Sequence, residues 1–279
     1  MNNKLSFNHF ITRTAQHLID KGFKNAKNEI IWYLESLYIC TREQIYLDEI
    51  IIDDNLQKNI QIFCNQRIQG MPFQYILQKS NFYGRDFYIN QHTLIPRPET
   101  ELFIDILKHC FFKEALEIGT GSGVLAITLS LEKIINKIIA TDISTSALSV
   151  AEKNLDSFNL SNILLEQHDF LNQSFNKKFD LIISNPPYIS SLEYQQLSKG
   201  IIDYEPEIAL TDKQDGLSFY LRFADILRDI LKSDGTFLCE MGSTQSVRLI
   251  KKIFLDRGYT IKIHKDLNLD ERILQINLS

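Results

Sequence analysis

The chain has 279 residues, 44% of them hydrophobic, enough to bury one substantial core and leave room for a small second domain. Lys and Arg number 30 against 35 Asp and Glu, a net charge of -5, so no global positive field draws the protein to nucleic acid or anionic lipid. The cysteines, Cys40, Cys64, Cys110 and Cys239, form no C-x-x-C pair, which argues against a zinc site or a disulfide framework and fits reduced, mostly buried thiols in a cytoplasmic protein. The start, Met1-Asn2-Asn3-Lys4-Leu5-Ser6-Phe7, lacks a long apolar core, and no apolar run approaches the ~20 residues of a membrane span. Neither export nor membrane insertion is expected. His9, His17, His92, His109, His168 and His264 show no ligand spacing; they read as structural or exposed, with no metal site.

From residue 7 to 67 apolar residues recur at helical spacing, as in Ile30, Ile31, Tyr33, Leu34, Leu37 and Tyr38, with Gly22 the single glycine. This predicts a helical domain over 1–72. Tyr75, Ile76, Phe82, Tyr83, Phe87 and Tyr88 then flank a turn-like Gly84-Arg85-Asp86, which predicts a β-hairpin linker over 73–97. Past Pro96 and Pro98, residues 99–109 have helical periodicity, and strand-like and helix-like segments alternate to the end. Strands are expected at 114–118, 137–142, 162–166, 180–184, 236–241, 259–263 and 272–277. Residues 98–279 are therefore expected to form an α/β domain with a mostly parallel, seven-stranded Rossmann-like sheet and helices on both faces.

Leu116-Glu117-Ile118-Gly119-Thr120-Gly121-Ser122-Gly123 follows an apolar strand and opens into the buried-looking Val124-Leu125-Ala126-Ile127. Glycines allow a tight turn and close approach of a ligand, and the helix N-terminus offers free N–H donors. A tight turn without a ligand would have the same pattern. Asp142, ending the next strand about twenty residues on, stands where a carboxylate takes both ribose hydroxyls of an adenosine. The spacing Gly-x-Gly-x-Gly departs from the dinucleotide fingerprint. Glu117 would repel a pyrophosphate but attract the ammonium of a methionine moiety, which favours S-adenosyl-L-methionine over NAD. Asp169 and Phe170 after the third strand suit an adenine amino group and ring face; an Asp at a turn and a Phe returning to the core would look alike.

The sharpest feature is Asn185-Pro186-Pro187-Tyr188 after the apolar strand Leu181-Ile182-Ile183. Two prolines fix two φ angles and remove two N–H donors, so the loop presents acceptors in a rigid array. The Asn185 side-chain oxygen and the Pro186 carbonyl suit the two hydrogens of an NH2 group, with its lone pair aimed at a methyl donor and Tyr188 stacked on the flat acceptor. The bland alternative is a strand-ending Pro-Pro turn with a capping Asn.

With Leu94-Ile95-Pro96-Arg97-Pro98-Glu99-Thr100-Glu101, Tyr204-Glu205-Pro206, Asp215-Gly216-Leu217, Glu240-Met241-Gly242 and Gln245, the sequence resembles the protein-(glutamine-N5) methyltransferases of bacterial peptide chain release factors, the PrmC or HemK family. The resemblance runs over nearly the whole chain, and residues 96–101 are its discriminating piece. It implies a class I methyltransferase fold with cofactor contacts at Gly119 to Gly123, Asp142, Phe170 and Asn185. It implies that Asn185 to Tyr188 hold the glutamine of a release factor's Gly-Gly-Gln tip, with the N-terminal helices helping to dock that protein. Phe170 stands where a Trp is common in the family, and Glu117 where an Asp is frequent. A monomer without stable nucleic-acid binding is expected, because a long substrate protein must reach the cleft. The competing readings are an adenine-N6 nucleic-acid methyltransferase, with Tyr188 on a flipped base, and a non-catalytic S-adenosylmethionine-binding module.

Overall fold

The computed structural model describes residues 6–37, 39–242 and 244–278. Tyr38 and the first five residues lie outside that set, as does the side chain of Gln245. The chain divides into two compact units, Met1–Gln78 and Lys79–Ser279.

The first unit is helical: α1 (Phe7–Ile19), α2 (Ala26–Ser36), α3 (Arg42–Tyr46), α4 (Asp54–Ile68) and α5 (Phe73–Leu77). Ser6 and Asp53 cap α1 and α4 by accepting the backbone N–H of His9 and Leu56. Phe7, Ile11, Ala15 and Leu18 of α1 lie three or four residues apart and are buried with Ile30 and Leu34 of α2 and Ile60 and Phe63 of α4. Arg67 pairs with Glu29 at 2.8 Å while its guanidinium lies over the ring of Phe23, which joins α4 to the start of α2.

The second unit opens with the hairpin β1 (Lys79–Phe82) and β2 (Arg85–Tyr88), whose two-residue turn puts Tyr83 and Gly84 at φ +49° and +73°. The hairpin packs on the body of this unit. Phe82 and Phe87 enter its core, Arg85 pairs with Glu132, and Tyr88 is clamped at both backbone groups by Asn154. A 3-10 turn, Pro98–Glu101, leads into α6 (Leu102–Leu107), so the helix expected from residue 99 is an α-helix only from residue 102.

The sheet follows as β3 (Phe112–Ile118), α7 (Val124–Leu131), β4 (Ile135–Asp142), α8 (Thr145–Ser157), β5 (Ile163–Gln167) and β6 (Phe179–Ser184). The short helices α9 (Ser191–Tyr194) and α10 (Lys199–Ile202) precede α11 (Ser218–Ile230), β7 (Leu231–Glu240), α12 (Thr244–Asp256), β8 (Ile261–Lys265) and β9 (Glu271–Asn277). The seven strands run in the order β5-β4-β3-β6-β7-β9-β8, and β9 is antiparallel to both its neighbours. All seven expected strands are present. β7 begins earlier than expected because Leu231 pairs with Phe179 and Thr236 with Leu181, leaving an irregular stretch of β7 between them.

Alternation along the central strands divides the apolar residues between two cores. Ala115, Leu181 and Ile183 join the cluster under α6 and α7, while Leu116, Ile118 and Ile182 join the one under α11 and α12. Among the described residues no helix is long and apolar enough to cross a membrane. Three of the cysteines are buried; Cys110 is exposed.

Asn154 of α8 is buried and donates from Nδ2 to the carbonyls of Tyr88, at 2.9 Å, and Ser122, at 2.8 Å, while accepting the Tyr88 N–H at 2.7 Å. It holds the hairpin and the Gly-rich turn to one helix. Asn154→Ala leaves three backbone groups without their partner, the Ser122 carbonyl buried and the two of Tyr88 part-buried, and is expected to destabilise the protein by about 2 kcal/mol, read from urea denaturation.

Candidate functional site

β3, β4 and β6 end at one level, because Ile118 pairs with Thr141 on one side and Ser184 on the other. The strand order reverses about β3, so the crevice at the carboxyl ends of these strands is where a doubly wound sheet places its ligand. A cavity of about 310 Å³ opens there. Glu117, Gly119, Thr120, Gly121, Ser122, Asp142, Asp169, Phe170, Asn185 and Pro187 all line it. Gly123 stands behind the wall: a Cβ there would lie 3.3 Å from Ala151 and Ile127, so its glycine serves close packing of α7 on α8.

The turn from β3 to α7 takes φ +74° at Gly119, +56° at Gly121 and +81° at Gly123, a left-handed path that side chains disfavour. The N–H groups of Gly119 and Thr120 both donate to the Thr141 carbonyl, at 2.9 and 2.8 Å, which curls the loop back over β4. Asp142 accepts the Gly121 N–H through Oδ2 and the Ser144 N–H through Oδ1, each at 2.9 Å. Its carboxylate is thereby fixed at the cavity edge, and burial raises its pKa against the pull of those bonds.

Glu117 is 2% exposed. Its Oε2 accepts both the Thr120 hydroxyl, at 2.8 Å, and the Ala126 N–H, at 3.1 Å. Burial nevertheless pushes its pKa up to about 8, with Asp142 adding repulsion. A carboxylate in such a place calls for a cation.

Phe170 is buried yet lines the cavity, stacked on Phe219 at 5.8 Å and packed against Phe223 at 4.4 Å. Asp169 accepts from the Leu171 N–H and the Asn172 amide, so the pair is a turn aspartate and a core aromatic that also line the cavity. His168, read from the sequence as structural or exposed, is buried and lines the same cavity. It stacks on Phe175 at 4.0 Å, and burial lowers its pKa, keeping the ring neutral.

The Asn185-Pro186-Pro187-Tyr188 loop leaves β6 at the crevice. Asn185, Pro186 and Tyr188 line a second, smaller cavity of about 80 Å³ with Leu94, Arg97 and Ile201. Asn185 faces both cavities. Its Nδ2 donates to Thr100 Oγ1 at 3.2 Å, and Thr100 Oγ1 donates to Glu240 Oε2 at 2.8 Å. Tyr188, expected to stack on an acceptor, is backed by protein: burial and then the nearby Glu240 charge raise its pKa, and its ring lies on Gly242, where a Cβ would come within 2.5 Å. The Pro96-to-Glu101 segment is anchored by buried Glu205, which accepts from Arg97 at 2.7 Å and from the Ile95 N–H at 3.2 Å. Thr100, Glu205 and Glu240 were visible in the sequence only as members of a resembling pattern; nothing local to each marks its place around Asn185.

Residues 9–77 match the PrmC N-terminal domain and residues 98–207 the Methyltransferase small domain. The release factor glutamine methyltransferase of Bacillus subtilis is 39% identical over 276 residues, which cover 93% of each chain. The chain belongs to the PrmC/HemK family of release factor glutamine methyltransferases. The bifunctional methyltransferase of Rickettsia prowazekii is 35% identical over 268 residues, 88% of this chain and 50% of that protein. The chain thus spans about half the length of the Rickettsia relatives it matches. A methyltransferase from Pyrococcus furiosus shares the fold, with a TM-score of 0.54 at 20% identity over 79% of this chain and 98% of that one.

The lining fits the methyl donor of a PrmC/HemK methyltransferase. Glu117 suits the ammonium, Asp142 the ribose hydroxyls and the aromatic wall at Phe170 the adenine, inside a volume of ordinary ligand size. An ammonium seated on Glu117 would favour its carboxylate over the acid form, so donor binding there is expected to release a proton below about pH 8. Affinity for S-adenosylhomocysteine, followed by calorimetry, is expected to rise between pH 6 and pH 7.5, with a limiting slope of ~10-fold per pH unit. In Glu117→Gln the affinity is expected to be lower and flat across that range. A Gly242→Ala substitution drives a methyl into the Tyr188 ring and is expected to lower turnover on the order of 10-fold or more, in a steady-state assay of methyl transfer.

Proposed function

We propose that the protein transfers a methyl group from S-adenosyl-L-methionine to the side-chain amide nitrogen, N5, of the glutamine in the Gly-Gly-Gln tip of a peptide chain release factor. The observation that carries this reading is the position of Asn185, which with Leu94, Arg97 and Ala209 lines both the larger cavity and the smaller one. The family supports the substrate: relatives named release factor glutamine methyltransferase include those of Bacillus subtilis and Clostridium acetobutylicum.

Bound S-adenosyl-L-methionine supplies an electrophilic methyl carbon, which the nitrogen takes as sulfur leaves with the bonding pair as a neutral thioether. The chain's own residues do the aligning. Asn185 Oδ1 and the Pro186 carbonyl each accept one N–H of the glutamine amide, which turns the nitrogen lone pair toward the larger cavity. That lone pair is delocalised and weakly nucleophilic, and the two acceptors stabilise the positive charge that grows on NH2 as the bond forms. The same charge acidifies the nitrogen, so one proton passes to water after transfer and no general base has to act first. Arg97, Leu94 and Ile201 form the surroundings of the acceptor. In this reading the helical unit, residues 1–72, docks the release factor, residues 73–97 link it to the methyltransferase domain of residues 98–279, and the protein works as a cytoplasmic monomer without stable nucleic-acid binding.

Incubation with labelled donor and an unmodified release factor is expected to add one methyl to the Gly-Gly-Gln glutamine, located by mass spectrometry. None is expected on a Gly-Gly-Ala variant or on unmethylated duplex DNA; label on adenine alone would reject the glutamine assignment. Asn185→Ala removes one preorganised acceptor and is expected to lower turnover on the order of 10²–10³-fold while donor binding is retained.

A further inference from the structure

Glu240 ends β7 and Thr100 lies 140 residues away in the 3-10 turn before α6, yet their side chains meet behind Asn185, and both are buried. A side-chain amide has two faces of opposite function. Turned one way Asn185 offers an acceptor to the substrate; turned the other way it offers a donor and repels the substrate N–H. The network behind an amide decides which way it faces.

A threonine hydroxyl has one proton. Here it goes to Glu240 Oε2 at 2.8 Å, which leaves only lone pairs on the Asn185 side, and Asn185 answers with Nδ2 at 3.2 Å. The reversed amide would set Oδ1 against those lone pairs. We infer that Glu240 and Thr100 are positioning residues that lock the Asn185 amide with its oxygen toward the acceptor, so that Glu240 sets the polarity of the methyl-accepting site without touching the substrate. Tyr188 also lies close to that carboxylate, so both ends of the Asn185-to-Tyr188 loop border one group. The inference rests on the role given to Asn185 in the proposed function.

The lock depends on the charge of Glu240. As a carboxylate it can only accept, which fixes the direction of the Thr100 proton; as an acid it can donate to Thr100, freeing that proton to point at Asn185 and making the two amide orientations comparable. The groups facing Glu240 are Glu99 and Thr100 of the turn, Tyr188, Tyr220 of α11, Cys239 and Arg272 of β9. Burial outweighs the Thr100 bond and the Arg272 charge and pushes Glu240 up to about 7, with Glu99 adding repulsion. The lock therefore tightens as pH rises through neutrality.

The decisive experiment is a double-mutant cycle with a spectroscopic arm. Thr100→Val keeps the shape and loses the hydroxyl; it is expected to lower kcat ~10–100-fold, with KM for the release factor and donor affinity within ~3-fold, while Thr100→Ser stays within ~3-fold of the parent. In an Asn185→Ala background, Thr100→Val is expected to add less than ~2-fold, because the group it acts through is gone. The side-chain 15N–1H2 resonances of Asn185, identified by their loss in Asn185→Ala, are expected to titrate with a midpoint near 7 in the parent and to be flat in Glu240→Gln. An additive cycle, or Asn185 resonances indifferent to pH and to Glu240→Gln, would overturn the lock. The resonance arm needs no substrate, so it decides the lock even if the glutamine of a release factor proves not to be the acceptor.

Discussion

The pairing of Ile118 with Thr141 on one side and with Ser184 on the other sets the level at which three parallel strands end, and the site follows from it. Parallel register leaves no freedom to slide one strand without turning its side chains to the wrong face of the sheet. Gly119, Asp142 and Asn185 each come one residue or fewer beyond those pairs, so one crevice receives all three. The turn after β3 is tied back to β4 by two hydrogen bonds to the Thr141 carbonyl and one to Asp142. Hydrogen bonds to the Thr141 carbonyl and to the side chains of Asp142, Glu117 and Asn154 therefore fix the Gly-rich loop.

Around that crevice the protein buries three carboxyl groups. Glu117, Glu205 and Glu240 are each no more than 5% exposed. Each has a different compensation. Glu205 has Arg97 and a backbone N–H, and so holds the Pro-Arg-Pro segment in place. Glu240 has the Thr100 hydroxyl, with Arg272 near enough to favour its charge. Glu117 has a hydroxyl and an N–H but no cation among the described residues. The contrast sorts structural carboxylates from the one suited to a charged ligand, because a buried carboxylate without a positive partner is costly until one arrives.

The two prolines after Asn185 take on a sharper meaning beside these carboxylates. Proline removes competing donors from the loop, and Glu240 behind it takes the Thr100 proton, so that this hydroxyl presents only lone pairs to Asn185. In the proposed function that loop would offer Asn185 Oδ1 and the Pro186 carbonyl to an NH2 group, with the Arg97 guanidinium as a donor in the same cavity.

Much of this was legible in the residues themselves. Hydrophobic alternation and glycine placement determine the seven strands, the buried α7 and the turn that precedes it, because both depend on neighbours in sequence. Motif spacing determines that Glu117, Asp142, Phe170 and Asn185 fall at strand ends. The start of α6, the early start of β7 and the clamp on Tyr88 by Asn154 were not legible, since each is settled by a partner many residues away. Nor does the sequence place His168 in the cavity wall or Tyr188 beside Glu240. Those belong to the tertiary structure for one reason: the direction of a hydrogen bond and the pKa of a carboxylate depend on which groups share its desolvated space, and the sheet order, not the chain order, decides who shares it.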